Sequence, residues 1–203
     1  MKNSVILFVA FVLIASCAPS LVSKEPQSNL YILNPVAFED PKIVSNAAIE
    51  VVSPDLPKAL ESERIALIKD GQELDYYATI RWAGRLDGVF QEALTQSFEA
   101  RFDKIDVGLR TANPNPNYRL ITQIRDFQAE YNNGDVNPMI NVSAVFTLLS
   151  LPEQEVMMRV RVSEKLSVEE NRGIVIAKGF EDLSHRAMRH AIENFTPILR
   201  DNR

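Results

Sequence analysis

Few side chains in this 203-residue sequence are of types that do chemistry, and their spacing narrows the choice further. There is one cysteine, Cys17, and there are two histidines, His185 and His190. Histidines five apart on a helix diverge by about a third of a turn beyond the i, i+4 pairing that lets two rings share a metal ion. Glu181 stands four residues before His185. With Arg186 and Arg189 beside it, the group reads as a solvated helix face whose cations suit the C-terminal half of the helix dipole. Glu169-Glu170 and Glu181-Asp182 read as surface charge, and nothing in their setting supports general acid/base work. The sequence holds no phosphate-binding P-loop, dinucleotide fingerprint, Gly-x-Ser-x-Gly elbow or His-Glu-x-x-His. Neither an enzyme nor a metal or organic cofactor is expected.

The thiol of Cys17 is the exception, because of what precedes it. Met1 and Lys2 give a short, positively charged start, Val5 to Leu13 are apolar, and Ile14-Ala15-Ser16 lead into the cysteine. A basic n-region, an apolar stretch of about ten residues and small residues before a cleavage point make a secretory signal. It is shorter than the ~20 residues a helix needs to cross a bilayer. The tetrapeptide ending in Cys17 resembles the bacterial lipobox, in which the thiol sulfur is alkylated by a diacylglycerol. The chain is then cut before the cysteine, and the new amine is usually acylated. Residues 1–16 are thus read as signal peptide, 17–28 as the lipidated cysteine and a tether, and 29–203 as the folded domain.

Lipidation has physical consequences. Each buried methylene contributes about 0.8 kcal/mol and a single chain anchors only reversibly, whereas three chains hold a protein on its membrane. Ala18 follows the cysteine where, in lipoproteins of the enterobacterial type, Asp would favour the inner membrane. The expected place is the periplasmic face of the outer membrane. Lipid would consume the one thiol, so no disulfide is expected in an oxidising compartment and the core must supply stability. Cleavage leaves 187 residues (203 less 16), enough for one domain. Lys2 goes with the signal, so 21 cations face 27 carboxylates, a net of −6. An acidic chain without a basic block is suited neither to nucleic acid nor to anionic lipid.

The elements follow from periodicity. The tether, residues 18–28, is polar with two prolines, and the folded body should begin near Tyr31. Ala48 to Val52 is a short β-branched run stopped by Ser53-Pro54. Arg64 to Ile68 and Leu74 to Tyr77 flank Asp70-Gly71, a hairpin signal because both central turn residues need φ > 0. Trp82, Leu86, Phe90, Leu94, Phe98 and Phe102 recur every fourth residue, which predicts an amphipathic helix of roughly twenty residues. Gly84 and Gly88 cost that helix about 1 kcal/mol each against alanine and offer a neighbour close approach. A short strand is expected at Ile105 to Leu109 and a turn at Asn113 to Asn117. Tyr118 to Glu130, Asn141 to Leu149 and Val156 to Ser163 should form an antiparallel meander. A second helix begins between Ile174 and Glu181 and should kink or end at Pro197. The fold class is therefore α/β, one domain, with a largely antiparallel or mixed sheet and two long amphipathic helices in a sandwich.

Candidate contact residues come from the meander. Asn141 to Leu149 carries no charge, so it must be central, covered on both faces, or paired to another chain. Val145 and Leu149 fall on its otherwise polar face, where a helix or a partner subunit should cover them. Arg159 and Arg161 on the next strand could meet an acidic partner, although a solvated face is the default. Trp82 could serve as an interface anchor, but its place on the apolar stripe favours the core.

Several of these features occur in one order: a lipobox, Tyr-x-Leu at Tyr31 and Leu33, and a β-run ending in Ser53 to Pro57. The Asp-Gly hairpin and a Trp82-Ala83 pair opening the helix follow. Then comes Tyr-x-Leu-x-x-x-Ile-x-x-Phe at Tyr118, Leu120, Ile124 and Phe127. The chain resembles the PqiC-like auxiliary lipoproteins of MCE-type ABC transporters. That resemblance implies an α/β sandwich and a non-enzymatic, membrane-anchored docking subunit in a system moving lipids between inner and outer membranes. It also implies an MCE-domain protein as partner and a ring or other oligomer. A lipid-carrying protein, or a structural outer-membrane lipoprotein of another envelope complex, is the alternative.

Overall fold

The structure is a computed structural model and describes residues 28–108 and 115–200. Cys17 and nearly all of the tether, as well as Leu109 and Asn113, lie outside the described residues. In chain order the elements are β1 (Asn29–Tyr31), β2 (Ile43–Val44), β3 (Ala48–Val51), β4 (Arg64–Lys69) and β5 (Glu73–Trp82). Next come α1 (Leu86–Arg101), β6 (Phe102–Asp103), β7 (Asp106–Gly108) and β8 (Tyr118–Tyr131). The chain closes with β9 (Met139–Ser150), β10 (Val156–Ser167) and α2 (Gly173–Arg200).

The long strands β8, β9 and β10 form the antiparallel meander that their alternation predicts. β9 is central, which satisfies the backbone of its uncharged run from both sides. The other edge of β8 forks. Its C-terminal end takes β4 in parallel, with Ala66 opposite Gln128, and its N-terminal end takes β3, with Ile49 opposite Tyr118. β5 continues the first branch as the antiparallel partner of β4 and carries β1, while β7 continues the second, giving an eight-stranded mixed sheet. The turn between β4 and β5 has Asp70 at φ 48° and Gly71 at φ 71°, the left-handed pair that Asp-Gly supplies most readily.

Both helices cover one face of the sheet. Phe127 of β8 stacks on Phe180 of α2 at 4.9 Å and meets Phe90 of α1 edge-on at 6.2 Å. Trp82 sits edge-on to Phe127 and Phe180, and Phe90 also stacks on Phe146 of β9. These rings are fully buried and close the layer between sheet and helices. Thr122 lies in that layer opposite Phe146, with its hydroxyl unpartnered among the described residues. An unpaired buried hydroxyl costs about 1–3 kcal/mol, so Thr122→Val is expected to raise stability by about 1 kcal/mol, read as a higher urea midpoint.

Three local expectations change. Trp82-Ala83 does not open a helix: Trp82 ends β5, donating its N–H to the Glu63 carbonyl at 2.8 Å, and α1 starts at Leu86. The last residue of a strand and the first turn of the following helix both face one core, so their spacing of four mimics a helical stripe. Gly84 and Gly88 provide no close approach, since a Cβ on Gly88 would meet open space and one on Gly84 an ordinary contact. That role falls to two glycines of α2: a Cβ on Gly173 would lie 2.5 Å from Ile80, and one on Gly179 3.0 Å from Ile140 and 3.2 Å from Val168. Of the kink or end expected at Pro197, the end does not occur, since α2 continues to Arg200. Pro197 and Glu193 are on the exposed side, where water can take the carbonyl that proline leaves without a donor.

Candidate docking surface

The face of the sheet away from the helices is built by the other half of each alternation. Leu149, Thr147, Val145, Ser143 and Asn141 of β9 point there, paired with Arg119, Ile121, Gln123, Asp126 and Gln128 of β8. On β10 the same face carries Arg159, Arg161, Ser163 and Lys165. Neither helix covers this face, yet Val145 and Leu149 are only 4% and 8% exposed and stand outside the main apolar cluster. Flanking long side chains shield them: Arg161 is opposite Val145 on one side and Gln123 on the other. What a partner would meet is therefore the exposed arginines, not the two apolar side chains beneath. The structure brings Val145, Leu149, Arg159 and Arg161 onto one face, and only the arginines reach its surface.

Polar contacts fix much of this surface. Arg159 Nε donates to Thr147 Oγ1 at 3.3 Å, and Arg119 Nε to Glu50 Oε2 at 2.8 Å. Glu130 collects Asn141, Gln128 and Lys165 at 2.8, 3.2 and 3.0 Å. Burial works against ionisation of Glu130, but these hydrogen bonds outweigh it and its carboxyl titrates below the usual range. The stabilisation is complete above the ordinary carboxylate pKa and is lost as pH falls through the lowered one. Arg161 makes no hydrogen bond or ion pair among the described residues.

The histidines belong elsewhere. His185 Nε2 lies 2.9 Å from the Asn34 carbonyl, while Glu181 accepts from the Asn34 side chain, so both fasten the N-terminal segment to α2. Among the described residues no cluster of three or more His, Cys, Asp or Glu could hold a metal ion. Trp82 is buried in the ring cluster and is not a surface anchor. A hydroxyl relay is not legible from spacing: Tyr131 donates to Asn171 Oδ1 at 2.8 Å, so Tyr77 donates to Tyr131 at 2.7 Å. Burial and that bond push the Tyr77 phenol far above its ordinary pKa. It is a tie between β5, β8 and the loop before α2, not an acid/base group.

The fold is shared with solved proteins. The crystal structure of protein XCC0632 from Xanthomonas campestris superposes with a TM-score of 0.66 at 19% identity, covering 86% of this chain and 94% of that one. A second crystal structure, of an uncharacterised protein, gives a TM-score of 0.63 at 12% identity over 80% of this chain and 99% of the other. At these identities the likeness is one of fold. No curated protein matches the sequence. A family model, the ABC-type transport auxiliary lipoprotein component, matches residues 31–183, from the end of β1 into the middle of α2. The chain belongs to the family of ABC-type transport auxiliary lipoprotein components.

Proposed function

We propose that the protein is the docking subunit of an MCE-type ABC transport system that moves lipid between the inner and outer membranes. Lipid on Cys17 would hold it at the periplasmic face of the outer membrane. Family membership supports the transport setting. The observation that carries docking over lipid carriage is the filled interior. A carrier needs a largely apolar cavity of roughly 300 Å³ or more. Here the space between sheet and helices is occupied by Trp82, Phe90, Phe127, Phe146 and Phe180 in mutual contact. The exposed arginines of β10 offer a protein partner a charged surface instead.

The test uses the full-length lipoprotein, tagged and extracted in mild detergent together with the MCE-domain protein of its own transport system. Co-purification with that protein, and no stoichiometric phospholipid by native mass spectrometry, is the expected result. Light scattering across concentration, with and without the MCE protein, reads the oligomeric state of the assembly. Stoichiometric phospholipid on a chain that captures no MCE protein would replace docking by lipid carriage.

A further inference from the structure

We propose that the outer edge of β10, together with the groove between β10 and α2, binds an extended acidic peptide segment that joins the sheet as a further strand. The inference deepens the docking role, on which it rests for the existence of a protein partner, and it names the chemistry of the partner's contacting segment.

The first observation is the edge itself. Among the described residues β10 pairs with β9 alone, along a register that runs from Val156 to Ser167. The two other branches of the sheet end in strands of three residues, β1 and β7. In an antiparallel pair every second residue directs its N–H and C=O away from the partner, so a twelve-residue strand leaves about six residues with outward groups. Edge strands are normally blunted by shortness, proline, a bulge or charge. Of these β10 uses charge, on Arg159, Arg161, Glu164 and Lys165, which repels like-charged strands but not an oppositely charged one. β10 contains no proline, and its register shift lies at the very start, between Val156 and Met158. From there to Ser167 the ladder is regular.

The second observation is the sign of its charges. Arg159, Arg161 and Lys165 share one face of β10 at alternate positions. They oppose the obvious occupant, a second copy of the same strand. With the two sheets joined edge to edge, antiparallel pairing centred on Val160, Arg161, Val162 or Ser163 sets a cation opposite a cation. Like charges directly opposite are destabilising. A strand with carboxylates at alternate positions meets the same row favourably.

The third observation is the groove. It has a volume of about 510 Å³, with the β10 stretch from Arg161 to Glu164 on one wall and Arg186, Arg189, His190 and Glu193 of α2 on the other. On the helix side of the strand two arginines and a histidine stand with two carboxylates, in a chain whose net charge is −5. Arg189 is held in place, donating to the Ala37 carbonyl at 2.7 Å with its guanidinium 4.8 Å from the Phe38 ring centroid. Arg186 is 4.0 Å from Glu164, a separation that leaves it able to turn to another carboxylate. A sheet edge flanked by a helix is the geometry in which peptides add to sheets: the backbone ladder supplies affinity, and the walls select side chains. Here side chains pointing to one face of the added strand would meet Arg159, Arg161 and Lys165. Those pointing to the other would meet Arg186, Arg189 and His190.

The probe is a fluorescein-labelled ten-residue peptide of alternating Glu and Val, titrated by anisotropy against the full-length lipoprotein in detergent. Two counterparts accompany it, one with Lys for Glu and one N-methylated at every residue so that neither of its edges can donate to a sheet. Expected are a preference of at least about tenfold for the Glu peptide over the Lys peptide, loss of binding on N-methylation, and slower hydrogen exchange at residues 156–167. Arg161→Glu with Arg186→Glu should lose about tenfold in affinity, and raised salt should weaken binding of the unaltered chain. Equal binding of the N-methylated peptide would reduce the site to charge adhesion and overturn the proposal. So would undetectable binding, or unchanged exchange in β10. Protection of β10 that grows with protein concentration in the absence of peptide would assign the edge to a second copy. If the unaltered chain captures no MCE protein yet binds the Glu peptide as described, the docking role fails and the peptide site stands.

Discussion

Replacing Cys17 by serine, with residues 1–16 exchanged for a secretory signal whose removal needs no lipidation, is expected to move the protein from the washed membrane fraction to the soluble periplasmic fraction, with its folded domain intact. A serine hydroxyl is not a substrate for the thioether-forming step that precedes cleavage in lipoproteins, so no acyl chain is attached. At about 0.8 kcal/mol per buried methylene, the loss of the chains removes nearly all affinity for the bilayer. Nothing among the described residues replaces them. The mature side chains sum to −6, which repels anionic lipid. Among the described residues no helix is long and apolar enough to cross a membrane. Cys17 precedes the first described residue by eleven positions, so the urea midpoint of the domain should be unchanged. Fractionation followed by immunoblotting reads the result. A serine variant that stayed in washed outer membranes would show that protein contacts, and not lipid, anchor the chain.

The parts of the fold that the residues disclose are those set by local physics. Asp70-Gly71 announces its hairpin because few residues tolerate the left-handed region, and Asp70 and Gly71 both occupy it. Alternation discloses β8 to β10, since a strand with one apolar face has only one register that buries it. The start of α1 is obscured because Trp82 and Leu86 face the same core from different elements. The fork of the sheet at β8 is a non-local fact: β3 and β4 share one edge of β8, and no periodicity in any of the three encodes that sharing. The same limit applies to the surface. Val145 and Leu149 stand out as apolar residues on a polar face, which is correct. Their shielding by the side chains of β8 and β10 depends on a register read only in three dimensions. The groove between β10 and α2 has no sequence signal either, because its walls are more than twenty residues apart and neither is apolar.

Phe180→Ala is expected to cost about 4 kcal/mol, in the range measured for buried phenylalanines, and to lower the melting temperature by about 10 °C for a domain of this size. Phe180 is fully buried on the inner side of α2. Its ring stacks on Phe127 at 4.9 Å and stands edge-on to Trp82 at 5.6 Å, so its removal strips both partners of contacts they cannot recover elsewhere. Relaxation is restricted because α2 is locked against β9 and β10 at Gly179, one residue away, where no side chain intervenes to adjust. Phe180→Leu, which keeps most of the volume, should lose less than half as much. Urea denaturation of both variants gives the comparison, with unchanged m-values showing that the denatured state is not at fault. The outcome bears on function as well as stability. A loss below about 1 kcal/mol would mean that the rings are not closely packed, because a cavity in a dense core carries its own cost beyond the transfer of the lost atoms. The interior could then admit an acyl chain, and lipid carriage would regain the ground it loses to docking. A large loss means the layer between sheet and helices is solid, and the protein must act through its surface.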